Sequence, residues 1–179
     1  KISSIIDILN DFNFDVLYFA DSLGNLDINQ TKKVARKFKK SKKPIGIHAH
    51  NNKGLAMVNS VIAVENGISW VDSTVTGMGR GPGNVKTEYS VIEFKYIKND
   101  YEKLSHLLDV INKFFEPLKK EYMWGDNTYY YISANKSVHP TYVQEIIDNK
   151  NYNTNERIAF INQFKKNDGI KYKQEIIQQ

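Results

Sequence analysis

The 179-residue sequence contains no cysteine. That excludes disulfides, thiolate nucleophiles and cysteine-type structural zinc. Any metal must be held by His, Asp, Glu, Asn or water, a donor set that favours the harder divalent ions. Arginine is scarce, with only Arg36, Arg80 and Arg157. The net charge of +5 and the run Lys32, Lys33, Lys37, Lys39, Lys40, Lys42 and Lys43 therefore do not amount to a nucleic-acid surface. Phe38 is the one aromatic among those lysines, and Val34, Ala35 and Phe38 are spaced as the buried stripe of a helix whose wet side the lysines cover. No stretch of 18 apolar residues occurs, so no membrane-spanning helix is expected. The opening residues Lys1–Ile6 have no secretory signature, and the expected location is the cytoplasm.

What is present is organised around Pro44-Ile45-Gly46-Ile47-His48-Ala49-His50-Asn51-Asn52-Lys53-Gly54. It reads as a short apolar strand ending in two histidines and turning into a helix. Side chains alternate along a strand, so Gly46, His48 and His50 share one face and Ile45, Ile47 and Ala49 the other. Imidazoles at i and i+2 are about 6 to 7 Å apart along the strand, a spacing that suits two ligands of one ion. The same pair could instead be two hydrogen-bonded histidines at a strand end.

Residues 4–12 carry the apolar pattern of a helix. The run 15–24, through Phe19, Asp21 and Gly24, is a strand ending in an acid, followed by the basic helix over 29–41. Ile45–His50 is a second strand; Leu55, Val58, Val61 and Ile62 mark the stripe of the next helix, which stops at Asn66-Gly67. Residues 69–75 make a third strand that runs into Gly77, Gly79, Gly81 and Gly83, with helix resuming near Thr87-Glu88 and Val91, Ile92 and Ile97 as buried candidates. Strand–helix units in tandem, with polar residues gathered at the strands' carboxyl ends, define a parallel α/β fold whose chemistry sits at that rim. Asp21, His48, His50 and Asn84 all belong there.

Beyond residue 99 the pattern becomes helical. Leu104, Leu107, Leu108, Ile111, Phe114, Phe115 and Leu118 form one amphipathic helix that Pro117 kinks or ends early. The aromatics of 122–132 pack a subdomain or line a pocket. His139-Pro140 opens a further helix through Tyr142, Val143, Ile146 and Ile147, and Ile158, Ile161 and Phe164 mark a last one over 154–166.

The blocks "ADSLGNLD" and "IGIHAHNNKGLAMVNSVIAVENGISWVDSTVTGMGRGPGNVKTE" resemble the second half of the DRE-TIM metallolyase barrel over residues 14–95. The glycine loop and the tyrosine-rich extension are most similar to 4-hydroxy-2-oxovalerate aldolase and its aldolase-like relatives. The resemblance implies the C-terminal part of a TIM (β/α)8 barrel over 1–99 and a small helical extension over 100–179. It implies His48, His50 and Asn84 as ligands of Mn2+ or Mg2+, Asp21 as an acid beside the substrate, and Gly79, Gly81 and Gly83 as amides facing a carboxylate. Asn59, Asp72 and Glu88 match recurrent positions expected to support the site from behind. The implied reaction is cleavage of a 4-hydroxy-2-oxo acid to pyruvate and an aldehyde, with an aldehyde dehydrogenase partner or a homo-oligomer. An acyl-CoA-dependent synthase of the isopropylmalate or citramalate type, or a non-catalytic partner-binding module, stays open. A full barrel takes some 250 residues, so the sequence reads as a fragment that lacks the first-strand Asp ligand and the catalytic base and is inactive alone.

Overall fold

The computed structural model describes residues 2–95, 101–165 and 168–177. The helix expected first is α1 (Ile2–Leu9), with Ile6 buried. Strand β1 (Leu17–Asp21) leads into α2 (Ile28–Phe38), and β2 (Ile45–Ala49) into α3 (Ala56–Glu65). A capping box starts α2, with the Asp27 carboxylate and the amide of Gln30 joined at 2.7 Å and the Gln30 side chain returning to the Asp27 amide. Strand β3 (Trp70–Val71) precedes α4 (Thr87–Glu93). The three strands form one parallel sheet in the order β1-β2-β3, with Phe19 opposite Ile47 and Ala20 opposite His48.

Both crossovers place their helices on the same side of this sheet. Phe19, Ile45, Ile47 and Ala49 pack there against Ala35, Ala56, Ala63, Val34 and Phe38. The opposite face carries Tyr18, Gly46, His48 and Trp70. A doubly wound sheet would be covered on both faces; coverage on one face alone is the geometry of a barrel wall, whose other face is the lumen. The hydrophobic face folds the chain and the lumen face is left for chemistry.

The structure revises several expectations. The third strand is two residues long rather than seven, because after Val71 the chain leaves β2 and pairs with the segment beyond the glycine loop: Thr74 N–H donates to Val85 O (2.9 Å) and Thr87 N–H to Thr74 O (2.9 Å). In α3 the buried side chains are Ala56, Asn59, Ser60 and Ala63, while Val58 is exposed. Small residues face the sheet because helix and strand approach closely there. In α4 Ser90 is buried and Ile92 exposed; Ile97 lies outside the described residues. Pro117 neither ends the third region's helix nor breaks it. α5 (Tyr101–Val110) passes through a π-helical turn (Ile111–Phe115) into α6 (Glu116–Tyr122), where Pro117 occupies the first turn. Of its expected apolar stripe Ile111 is buried, whereas Leu108 and Phe114 are exposed.

The extension continues as α7 (Thr128–Asn135), α8 (Pro140–Asp148) and α9 (Thr154–Gln163). Tyr130, Val143, Ile146 and Ile161 make one core there, and Val138, Tyr142 and Phe164 another. It is tied to the barrel rim: Trp124 Nε1 donates to Thr76 O (3.3 Å), Gly125 N–H to Gly81 O (2.9 Å), and Asn25 Nδ2 to Ser137 Oγ (3.0 Å).

Ile47→Ala is expected to cost about 2–5 kcal/mol by loss of core contact and cavity formation, whereas Val58→Ala should change stability by less than about 0.5 kcal/mol. Urea unfolding measures both. Equal losses would contradict the orientation of α3.

Candidate metal centre

His48 and His50 project from the lumen face and meet edge to face, their ring centroids 4.9 Å apart. Each is oriented from behind. His48 Nδ1 lies 3.1 Å from Asp72 Oδ2, and His50 Nδ1 lies 3.2 Å from the carbonyl oxygen of Ser22. Both partners are acceptors, so both Nδ1 atoms carry a ring hydrogen, and in the neutral rings both Nε2 atoms are bare. Those two Nε2 atoms stand 3.2 Å apart. Two lone pairs at that distance repel unless a proton on one ring or a cation lies between them. Ligand nitrogens about 2.1 Å from one ion and at right angles around it would be about 3 Å apart. The donor pair therefore fits a metal ion. A proton fits less well at His50: burial pulls its pKa below the ordinary imidazole range and the neighbouring His48 adds to this, against the opposing Ser22 carbonyl and Asp21 carboxylate.

Asn84 enters from the strand-like segment after the glycine loop and is bridged antiparallel to His50. Its Nδ2 donates to Met78 O (3.2 Å), which fixes the amide and leaves Oδ1 without a partner among the described residues. Gly79 is required here, since a Cβ on it would stand 2.4 Å from Asn84 Nδ2. Two imidazole nitrogens and one amide oxygen suit a hard or borderline divalent ion better than a soft one. Among the described residues no Asp, Glu or Cys joins the two histidines as a third ligand.

Asp21 is placed differently from expectation. Alternation along β1 puts it on the helix-packed face, and it is 4% exposed. Its Oδ1 accepts from the amide of Asn25 (3.1 Å) and its Oδ2 from that of Leu26 (3.1 Å). Burial raises its pKa, while those two amides and the nearby His50 work to lower it. What Asp21 visibly does is shape the loop whose Ser22 carbonyl orients His50. The amides of Gly79 and Gly81 have no acceptor among the described residues, as a carboxylate-binding loop requires. Gly83, at φ +77°, instead lets the loop close, because a Cβ there would lie 2.5 Å from Gly77 O.

The three supporting residues divide in role. Asp72 holds His48 and lies close enough to Tyr18 to act on it, the phenol pKa of Tyr18 being raised by burial and by Asp72. The Tyr18 ring lies directly over Gly46, where any Cβ would collide with it. Asn59 Nδ2 donates to Leu26 O (2.9 Å), and Glu88 Oε2 accepts from the amide of Thr76 (3.0 Å), a residue held at φ +54°. Sequence reasoning missed Tyr18 as part of this network; the signal was the glycine facing it across β2. It also treated His139 only as a helix entry, although the structure brings it to the loop after Asp21.

Lumen-facing histidines at the carboxyl end of a strand, with an asparagine from the following glycine loop, give this α/β wall a donor set of the kind from which a metal centre can be built. The sequence profile of the HMGL-like family matches residues 1–112, and the chain belongs to that family. A 4-hydroxy-2-oxovalerate aldolase from Brevibacillus brevis is 37% identical over 89 residues, 49% of this chain and 26% of the relative. A second, from Rhodococcus jostii, is 33% identical over 122 residues, 67% of this chain and 36% of the relative. The crystal structure of the N-terminal domain of a Bacteroides vulgatus protein assigned as an aldolase superposes with a TM-score of 0.71 at 27% identity, over 88% of this chain and 51% of that one. This chain thus spans between a quarter and two-fifths of the length of the curated relatives it matches, and its fold is the C-terminal part of a TIM barrel.

Asp72→Asn should weaken Mn2+ binding about 10- to 100-fold by freeing the His48 ring, and Tyr18→Phe should weaken it less. Calorimetric titration of the full-length protein reads both; an Asp72→Asn protein with unaltered affinity would remove Asp72 from the centre.

Proposed function

We propose that this chain is the C-terminal part of a divalent-metal-dependent aldolase that cleaves a 4-hydroxy-2-oxo acid to pyruvate and an aldehyde. Residues 1–99 would supply the second half of the barrel and 100–179 the extension, and the enzyme would work in the cytoplasm with Mn2+ or Mg2+. The observation that carries this is the pair of imidazole Nε2 atoms 3.2 Å apart beside an Asn84 Oδ1 that has no partner among the described residues. The names of the curated relatives support the substrate class.

In this reading His48, His50 and Asn84 hold the ion. The chemistry that such an ion supplies is Lewis-acid polarisation of a 2-oxo acid and stabilisation of the negative charge that develops as the C3–C4 bond breaks. The chain's own residues prepare that reaction. Asp72 and the Ser22 carbonyl fix both imidazoles in the tautomer that presents Nε2. Neutral histidine and amide ligands leave the charge of the centre high, which favours a developing anion. The Gly79 and Gly81 amides offer fixed donors to the substrate carboxylate, without a side chain to hold it off. Asp21 acts on the site through its loop. The first-strand acid and the proton-transferring base would come from residues outside this chain, so these 179 residues alone would be inactive. An aldehyde dehydrogenase that consumes the product, or a second copy of the chain, would dock through the extension.

The full-length protein loaded with Mn2+ should release pyruvate from a 4-hydroxy-2-oxo acid, and His48→Ala or His50→Ala should lower kcat/KM at least about 1,000-fold through loss of the centre. A coupled lactate dehydrogenase assay measures this. Release of free thiol from an acyl-CoA and a 2-oxo acid, with no pyruvate formed, would replace the aldolase reading with a synthase.

A further inference from the structure

Arg80 stands in the middle of the glycine loop, and its side chain reaches the extension, where Nε donates to Gln144 Oε1 of α8 (3.1 Å). With Nε held, the guanidinium keeps the outer edge formed by its terminal nitrogens. Among the described residues no acceptor meets that edge and no carboxylate pairs with it. An arginine fixed in this way is set for two parallel hydrogen bonds to a carboxylate or phosphate.

Arg80 lines a cavity of about 410 Å3 between the glycine loop and the extension, a volume in the range of small-molecule pockets. Tyr130 lines it too. That residue is 4% exposed, its ring rests on Gly81, and its hydroxyl has no hydrogen-bond partner among the described residues. A phenol so far from water and without a partner is costly, and an acceptor on a ligand removes the cost. Burial and the nearby Asp148 hold the phenol protonated against the opposing Arg80, so it stays a donor. Asp148 is also on the cavity wall and has no ion pair among the described residues, while Trp124 and Ile147 add apolar surface. None of His48, His50 or Asn84 lines this space.

These groups narrow the ligand. A bare inorganic anion held by Arg80 and Tyr130 would also face the Asp148 carboxylate and be repelled by it. A neutral polyol would satisfy Asp148 and leave the Arg80 edge unpaired. A molecule with an acidic group at one end and a hydroxyl at the other meets all three. We propose that this cavity is a binding site, separate from the metal centre, for a small hydroxylated organic acid. Arg80 and Tyr130 bind its acidic group, Asp148 accepts from its hydroxyl, and Gln144 positions Arg80. The site stands independently of the aldolase reading.

Three six-carbon compounds test it by calorimetric titration of the protein: gluconate, with charge and hydroxyls; glucitol, with hydroxyls alone; and hexanoate, with charge alone. Gluconate should bind at least about 10-fold more tightly than either of the others. Arg80→Gln should weaken gluconate binding about 10- to 100-fold and Tyr130→Phe about 10-fold, the range for hydrogen bonds to a charged group. Tyr130→Phe keeps the ring on Gly81, so its melting temperature should match the wild type. His48→Ala, which removes a donor of the metal centre, should leave gluconate affinity within about two-fold, as expected of a separate site. No gluconate binding by the wild type, equal binding of all three compounds, or unchanged affinity in Arg80→Gln and Tyr130→Phe would overturn the site. Loss of binding in His48→Ala would overturn its separateness by placing the acid at the metal centre.

Discussion

Two lone pairs held 3.2 Å apart are the constraint on which this structure turns. Imidazoles left to themselves rotate or protonate to avoid each other. Here rotation is resisted, because Asp72 and the Ser22 carbonyl hold both Nδ1 atoms, and burial resists a proton on His50, so either a proton carried by His48 beside Asp72 or a cation must lie between the two rings. The fold thus maintains an arrangement that needs a positive charge, a proton or a cation, between the two rings. Where a cation fills that role, its binding and local order are coupled.

The rest of the wall serves that arrangement by separating its two faces. Phe19, Ile45 and Ile47 bind the sheet to its helices and leave the lumen face to Tyr18, Gly46 and His48. Gly46 gives up its own side chain so that the Tyr18 ring can lie across it and reach Asp72, which in turn holds His48. Asp21 falls on the packing face and still reaches the centre, through the amides of Asn25 and Leu26 and the position of Ser22. A residue's distance from the ion is therefore a poor guide to its influence here.

The extension makes the rim rigid. Trp124 binds the backbone just before the glycine loop and Gly125 binds it within the loop, at Gly81, on which the Tyr130 ring rests. The Tyr130 phenol, pushed up to about 12 by burial and by Asp148, stays protonated and neutral in that contact. A loop of four glycines would otherwise be free to sample many conformations, at a cost in entropy each time it ordered around a ligand. Packing from outside removes that freedom before any ligand arrives.

The sequence by itself determined the strand–helix rhythm, the shared face of His48 and His50, the helix entry at His139 and the family, because each depends on local periodicity or on a compact motif. It also pointed to Asp72 and Glu88 as supports. What it could not determine was set by contacts distant in the chain. The third strand shortened because Thr74 found Val85 rather than β2, and α3 buried Ala63 and Asn59 in place of Val58 because the sheet came too close for larger side chains. The tautomers of the two histidines, and the presence of His139 beside the Asp21 loop, depend on residues up to about a hundred positions away, and only the tertiary structure brings those together.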